Sequence, residues 1–196
     1  MADAALIDDF DKNGKYTYAE YLLWDNSERC QLIDGEIYMM ASPSVAHQAL
    51  LMGLSSKFDN WLQGKPCRVF ASPLDVRLFP KKDKSDNTVV QPDLLVVCDS
   101  AKLEKGSVKG APDLIIEISS PSNTHKELFL KFNYYLKAGV REYWVIEPEL
   151  RKINVHIYEN GYYKSASYDD DERISVNIFP GLEISLEELW KRIPEV

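Results

Sequence analysis

DLIIEIS, residues 113–119, is a run of apolar residues carrying one carboxylate, Glu117. Near-continuous hydrophobicity of this length reads as a strand covered on both faces of a sheet. A second such run, DLLVVC, spans residues 93–98. Alternation along the first strand places Glu117 on the face of Ile115 and Ser119. A carboxylate there must be compensated by a cation, a lysine or a shifted pKa. An arginine or backbone amides at a sheet edge would also satisfy it.

Outward from these strands the chain reads as α/β. The segment 42–62 is a helix with Ser42 or Ser44 as its cap, Pro43 in a tolerated position and Gly64 as its stop. Residues 68–71 and 74–79 form an extended segment interrupted by Pro73. Residues 124–138 form a helix with Thr124 and Glu127 as a capping box, and Gly139 ends it. YWVI, residues 143–146, is a further strand. This gives an α-β-β-β-α-β core with one mixed sheet flanked by helices. Residues 17–24 read as a short helix, and residues 31–40 as a hairpin around Asp34-Gly35. The C-terminal part is a β-rich extension: a hairpin around Asn160-Gly161, a strand over 174–179 and a helix over 185–192 capped by Ser185. We expect a single domain over 1–196, with its core at about 31–148 and the extension over 149–196.

Composition narrows the function classes. The 196 residues carry a formal charge of −8, which argues against coating nucleic acid by bulk charge but leaves a local basic cleft open. Lys81, Lys82, Lys84, Lys102, Lys105 and Lys109 crowd two loops beside the central strands, either as a basic rim or as solvated loop charge diluted by neighbouring acids. Cys30, Cys67 and Cys98 are widely spaced, so reduced thiols in a cytoplasmic protein are expected. No apolar run is long enough to span a membrane, and no secretory signal pattern opens the chain.

Asp93 opens the other apolar strand, where α/β sheets place ligands. Asp93 and Glu117 on neighbouring strands make a hard, oxygen-only site suited to Mg²⁺ or Mn²⁺. Such an ion activates water and stabilises charge on a phosphoryl group. Glu127, Lys131 and Tyr135 are spaced four apart on one helix face. The core-facing stripe of that helix is read as Leu128, Phe132 and Leu136. Lys131 either faces the carboxylates, where it can stabilise an oxyanion, or pairs with Glu127 on a solvated face.

The ordered set QPDLLVV, APDLIIEISSPS and K-x3-Y-x3-GVREYWVIEP, with LIDGEIYMM, SPSVAHQAL and LDVRL, resembles the Uma-type restriction endonuclease family of the PD-(D/E)XK nuclease superfamily. The similarity runs from about residue 31 to residue 148 and more loosely beyond. The resemblance implies a restriction-endonuclease-like fold. Asp93 matches the aspartate of the PD pair and Glu117 the acid of the (D/E)XK element. The lysine expected two residues later is Ser119; Lys131 occupies the position from which the family supplies it. Glu36 matches an N-terminal acid and a further metal ligand, Gln91 precedes the PD pair, and His47 stands where the family often has a histidine. Tyr135 is a supporting candidate. Asp113, in a second Pro-Asp pair, lies about 13 Å along the strand from Glu117, too far to share an ion. Arg77 is a phosphate contact, a packing residue or an ion-pair partner of Asp75.

The expected function is Mg²⁺- or Mn²⁺-dependent hydrolysis of DNA phosphodiester bonds, by a homodimer on analogy with related nucleases. The alternative is a catalytically silent binding or scaffold module on the same fold. The choice between DNA and RNA and the sequence specificity are not encoded in these motifs.

Overall fold

The computed structural model describes residues 14–24, 29–119 and 125–195. Helix α1 (Tyr18–Tyr21) precedes a hairpin of β1 (Cys30–Ile33) and β2 (Glu36–Met39), and α2 (Val45–Leu62) follows. Next come β3 (Arg68–Ala71), β4 (Asp75–Arg77), β5 (Val89–Val90), β6 (Leu94–Val97), β7 (Ser107–Lys109) and β8 (Leu114–Ile118). Helix α3 (His125–Ala138) leads into β9 (Glu142–Glu147), the hairpin β10 (Lys152–Glu159) and β11 (Tyr162–Asp169), the pair β12 (Arg173–Ser175) and β13 (Glu183–Ser185), and α4 (Leu186–Trp190). Among the described residues no helix is long and apolar enough to cross a membrane. Thr124, expected to cap α3, and the lead-in over 1–13 lie outside the described residues.

The α/β class expected from the sequence is the one observed, but the strands of the described residues divide among three sheets rather than forming the one mixed sheet expected. The central sheet runs β11-β10-β9-β8-β6-β3, with β8 and β9 parallel and joined through α3. The second sheet runs β2-β1-β5-β4-β7 and holds the N-terminal hairpin. Strands β3 and β4 therefore belong to different sheets, although their sequences are nearly contiguous. Pro73 lies between them, and a residue without an N–H cannot continue a ladder.

Both faces of the central sheet are covered, which is why β6 and β8 read as unbroken apolar runs. Leu94, Val96, Leu114 and Ile116 pack with Leu50, Leu54 and Phe58 of α2. Leu95, Val97 and Ile115 pack with Tyr135 of α3, Tyr143 of β9 and the second sheet's Val76, Val90 and Val108. The Asp34-Gly35 and Asn160-Gly161 turns have left-handed φ at both positions (53° and 77°, 50° and 92°), as two-residue hairpin loops require.

One expectation is corrected. Cys67 and Cys98 are joined by a disulfide rather than standing as separate thiols. The β3–β6 register pairs Arg68 with Val97, so the next residues outward face each other across two adjacent strands. Their sequence separation of 31 gives no sign of that proximity. Cys30 is buried in β1.

Candidate active site

The β6–β8 register sets Leu94 opposite Ile116 and Leu95 opposite Ile115. Continued by one residue, it sets Asp93 opposite Glu117 on the α3-facing side of the sheet. Both are buried. The Ile118 amide donates to Asp93 Oδ2 at 2.7 Å, and His47 Nε2 lies 3.1 Å from Asp93 Oδ1. Ser44 caps α2 by accepting from the His47 amide at 3.1 Å, which places this histidine in the first turn of the helix.

Helix α3 supplies the opposite wall. Lys131 Nζ lies 3.1 Å from Glu117 Oε1 and 3.6 Å from Glu127 Oε1. The Tyr135 hydroxyl donates to Glu117 Oε1 at 2.6 Å. Lys131 thus faces Glu117 and also pairs with Glu127, but the expected solvated face is corrected: Lys131 is buried, 3% exposed. The expected core stripe of α3 is corrected accordingly. Tyr135 is fully buried, whereas Leu128, Phe132 and Leu136 are only half-buried. Phe132 packs on His156 and Tyr163 at the side of the helix.

Burial is the main influence on Glu117, pushing its carboxyl above the ordinary value; the charge of Lys131 opposes this and that of Asp93 adds to it. Burial pushes Lys131 down, but Glu117 and Glu127 outweigh it and the net shift is upward. Burial, with Glu117 beside it, holds the Tyr135 phenol protonated well above its ordinary range. Lys131 and Tyr135 are therefore donors here.

Asp93, Glu117, Glu127, Lys131, His47 and Arg29 line one cleft of about 100 Å³ between the start of α2, the ends of β6 and β8, and α3. Met39, Met40 and Pro43 form part of its mouth.

The chain as a whole has counterparts among known proteins. A family model described as "Uma2: Putative restriction endonuclease" matches residues 18–187. The chain belongs to the Uma2 family. Two Synechocystis sp. (strain ATCC 27184 / PCC 6803 / Kazusa) proteins, both named as uncharacterized, are related to it. The protein slr1290 is 24% identical over 181 residues, covering 90% of this chain and 92% of its own length. The protein sll1609 is 29% identical over 136 residues, covering 67% and 74% respectively. The crystal structure of a putative nuclease belonging to DUF820 from Anabaena variabilis superposes with a TM-score of 0.75 at 22% identity, covering 91% of this chain and 99% of that one. At that identity the likeness speaks for the fold.

Not every residue singled out in this Uma2 chain reaches the cleft. Glu36 lies at the turn end of the β1–β2 hairpin, where it pairs with Lys15 at 3.2 Å and Lys126 at 3.6 Å. It sits three residues along β2 from Met39, roughly 10 Å of strand away from the mouth. Gln91 lies behind the cleft and contacts Arg29 from there. Asp113 is at the far end of β8, accepting from the Cys98 amide and from Arg141. Arg77 forms a buried two-pronged pair with Asp86, at 2.8 and 2.6 Å, rather than with Asp75. The lysines of the two loops do not line the cleft; Lys102, for example, donates to the Ala111 carbonyl and Lys109 pairs with Glu104.

Two residues escaped the sequence reading. Gln31, 1% exposed, donates to Glu127 Oε1 at 2.7 Å and so buttresses the acid behind Lys131. Its signal was the one that exposed Glu117: a polar residue inside an apolar strand. Arg29 carried no such signal, because it precedes β1 and its neighbourhood is set by folding alone.

Proposed function

We propose that the chain hydrolyses DNA phosphodiester bonds with the help of a divalent cation. The observation that carries this reading is the opposition of Asp93 and Glu117 across β6 and β8, with Lys131 buried against Glu117. The donor set fits Mg²⁺ or Mn²⁺. The cleft offers two opposed carboxylates, and no group of three or more His, Cys, Asp or Glu that could hold an ion occurs among the described residues. Mg²⁺ is commonly held by one or two carboxylates, with waters and substrate oxygens completing its shell. Asp93 and Glu117 would hold the ion; when bound, it would supply Lewis acidity and ease the deprotonation of water.

The chain's own groups have distinct tasks. His47 and the Ile118 amide orient the two oxygens of Asp93. Tyr135 fixes Glu117 from behind. Lys131 stays an ammonium, so it hydrogen-bonds a water or a phosphoryl oxygen and stabilises the charge that grows there. Water oxygen adds to phosphorus in line with the departing ester oxygen and gives up a proton to solvent; the P–O bond breaks, and that oxygen takes a proton from solvent. By analogy with related nucleases that cut both strands of a duplex as dimers, the working unit is a homodimer.

One feature favours the silent-module reading: a charge of −8 with the loop lysines away from the cleft. Supercoiled plasmid incubated with the wild type, Glu117→Ala and Lys131→Ala, in Mg²⁺, Mn²⁺ or EDTA, decides between them. Nicking that requires the ion and disappears in both variants is expected. Intact plasmid throughout, together with no Mn²⁺-induced rise in melting temperature that Glu117→Ala abolishes, would establish the silent module.

A further inference from the structure

The two long cations of the cleft are engaged very differently. Lys131 is committed to Glu117 and Glu127. Arg29 lines the same cleft at the open end of the β1–β2 hairpin, and no carboxylate among the described residues pairs with it. Its Nε is buried and lacks a hydrogen-bond partner. Among the described residues its side-chain hydrogen bond is a donation from Nη2 to Gln91 Oε1 at 3.4 Å.

Gln91 is not free to turn its amide. Its Nε2 donates to Asp75 Oδ1 at 2.9 Å and to the Tyr21 hydroxyl at 3.1 Å, while that hydroxyl donates to the same Asp75 oxygen at 3.1 Å. An ionised carboxylate only accepts, so the nitrogen end of Gln91 must face Asp75 and the oxygen end must face Arg29. Tyr21, Asp75 and Gln91 thus hold Nη2 from behind and leave Nε unspent.

A buried guanidinium Nε that no carboxylate of the described residues engages favours an anion, and the planar fork matches the oxygens of a phosphate. The cleft needs one. Asp93, Glu117 and Glu127 all repel a polyanion, and the molecule as a whole is negative. We propose that Arg29 binds a backbone phosphate of the nucleic-acid strand entering the cleft, and that Gln91, Asp75 and Tyr21 are its positioning residues. This rests on the reading of the cleft as a phosphodiesterase site. Arg29 is a binding residue for the strand, distinct from the acid pair, and carries no base specificity.

The test titrates a short fluorescein-labelled DNA duplex, and the matching single strand, with wild type, Arg29→Ala, Arg29→Lys and Gln91→Leu across a range of NaCl concentrations in Mn²⁺. Plasmid cleavage by the same proteins is followed in parallel, and thermal melts confirm that each variant is folded. Arg29→Ala should weaken binding about tenfold to hundredfold irrespective of sequence, the range that a hydrogen bond to a charged group corresponds to. It should lower the slope of log K against log salt by about one phosphate contact. In cleavage the loss should fall on KM rather than kcat. Arg29→Lys should recover the salt slope but not the full affinity, and Gln91→Leu should weaken binding less than Arg29→Ala does. Wild-type cleavage with Arg29→Ala unchanged in KM and salt slope would overturn this proposal and leave the hydrolytic reading standing. Binding that depends on Arg29, without cleavage under any condition, would support the phosphate site and overturn the hydrolytic reading. A wild type that neither binds nor cuts would overturn both.

Discussion

At the scale of single residues, the cleft is a set of buried charges that satisfy one another. Lys131 lies within 3.6 Å of two glutamates, and Glu117 accepts from both Lys131 and Tyr135. Removing one partner of such a set leaves an uncompensated buried charge. Lys131→Met should therefore lower folding stability by about 3–5 kcal/mol, read from urea denaturation in EDTA. Mn²⁺ should restore part of the loss, because a cation between Asp93 and Glu117 replaces the missing positive charge. An unchanged urea midpoint would mean that Lys131 is not electrostatically coupled to Glu117. Glu117 was legible in the sequence because a carboxylate interrupts DLIIEIS. Gln31 breaks CQLI in the same way, but a neutral amide is cheaper to bury, so it stands out less. Glu36 holds the motif position of a site acid, yet it stands at the turn end of the hairpin, paired with Lys15 and Lys126.

At the scale of elements, the long apolar strands β6, β8 and β9 are legible in the sequence, whereas short ones such as β5, β7 and β13 and the inner face of α3 are not. Period-two alternation is strict, so the side of the sheet that carries Glu117 followed directly from its position. On α3 the apolar residues Leu128, Phe132 and Leu136 looked like the inner stripe, whereas the inner face carries Glu127, Lys131 and Tyr135. Hydrophobicity does not identify a buried face whose charges are paired across to a sheet. Phe132 instead meets the β10–β11 hairpin, where His156 packs against Tyr143 and Tyr163. Burial lowers His156 from its ordinary value of about 6.5 to about 4. Between those values the unfolded chain binds the proton and the folded chain does not. Stability from this ring is thus complete above about pH 6.5 and is lost as pH falls towards about 4. The ring is partly solvated, which limits the loss to about 1–2 kcal/mol. His156→Phe should flatten this part of the acid limb, measured as the difference between urea midpoints at about pH 7 and about pH 5. An equal difference in the variant would assign the acid sensitivity to other groups.

At the scale of the whole molecule, the C-terminal extension is part of the core that supports the site. Ile174, Val176, Leu182, Ile184, Leu186, Leu189 and Trp190 share one apolar cluster with Leu54 and Phe58 of α2 and with Ile116 and Trp144 of the central sheet. Glu142, at the start of β9, joins the two parts by polar contacts. It accepts from Trp144 Nε1 and from the amides of Asn177 and Ile178 at 2.9, 3.2 and 2.9 Å. Burial raises its carboxyl above the ordinary value despite these donors. The boundary read near residue 149 therefore separates the motifs of the family from the rest of the chain, while the apolar cluster crosses it. The motifs mark chemistry, whereas the extension is written in dispersed apolar positions whose partners lie over a hundred residues earlier, as Ile184 and Leu54 do. Urea unfolding followed by tryptophan fluorescence and by far-ultraviolet dichroism should give one coincident transition. Glu142→Ala should shift that transition by roughly 3 kcal/mol, since it leaves buried donors unpaired, without splitting it. Truncation after Asp169 should abolish folding altogether. Each large apolar side chain removed from a core costs about 2–5 kcal/mol, and several are removed at once from a domain whose net stability is about 5–15 kcal/mol. A truncated chain that folds and still binds Mn²⁺ through Asp93 and Glu117 would show instead that the central sheet and α2 hold the site unaided.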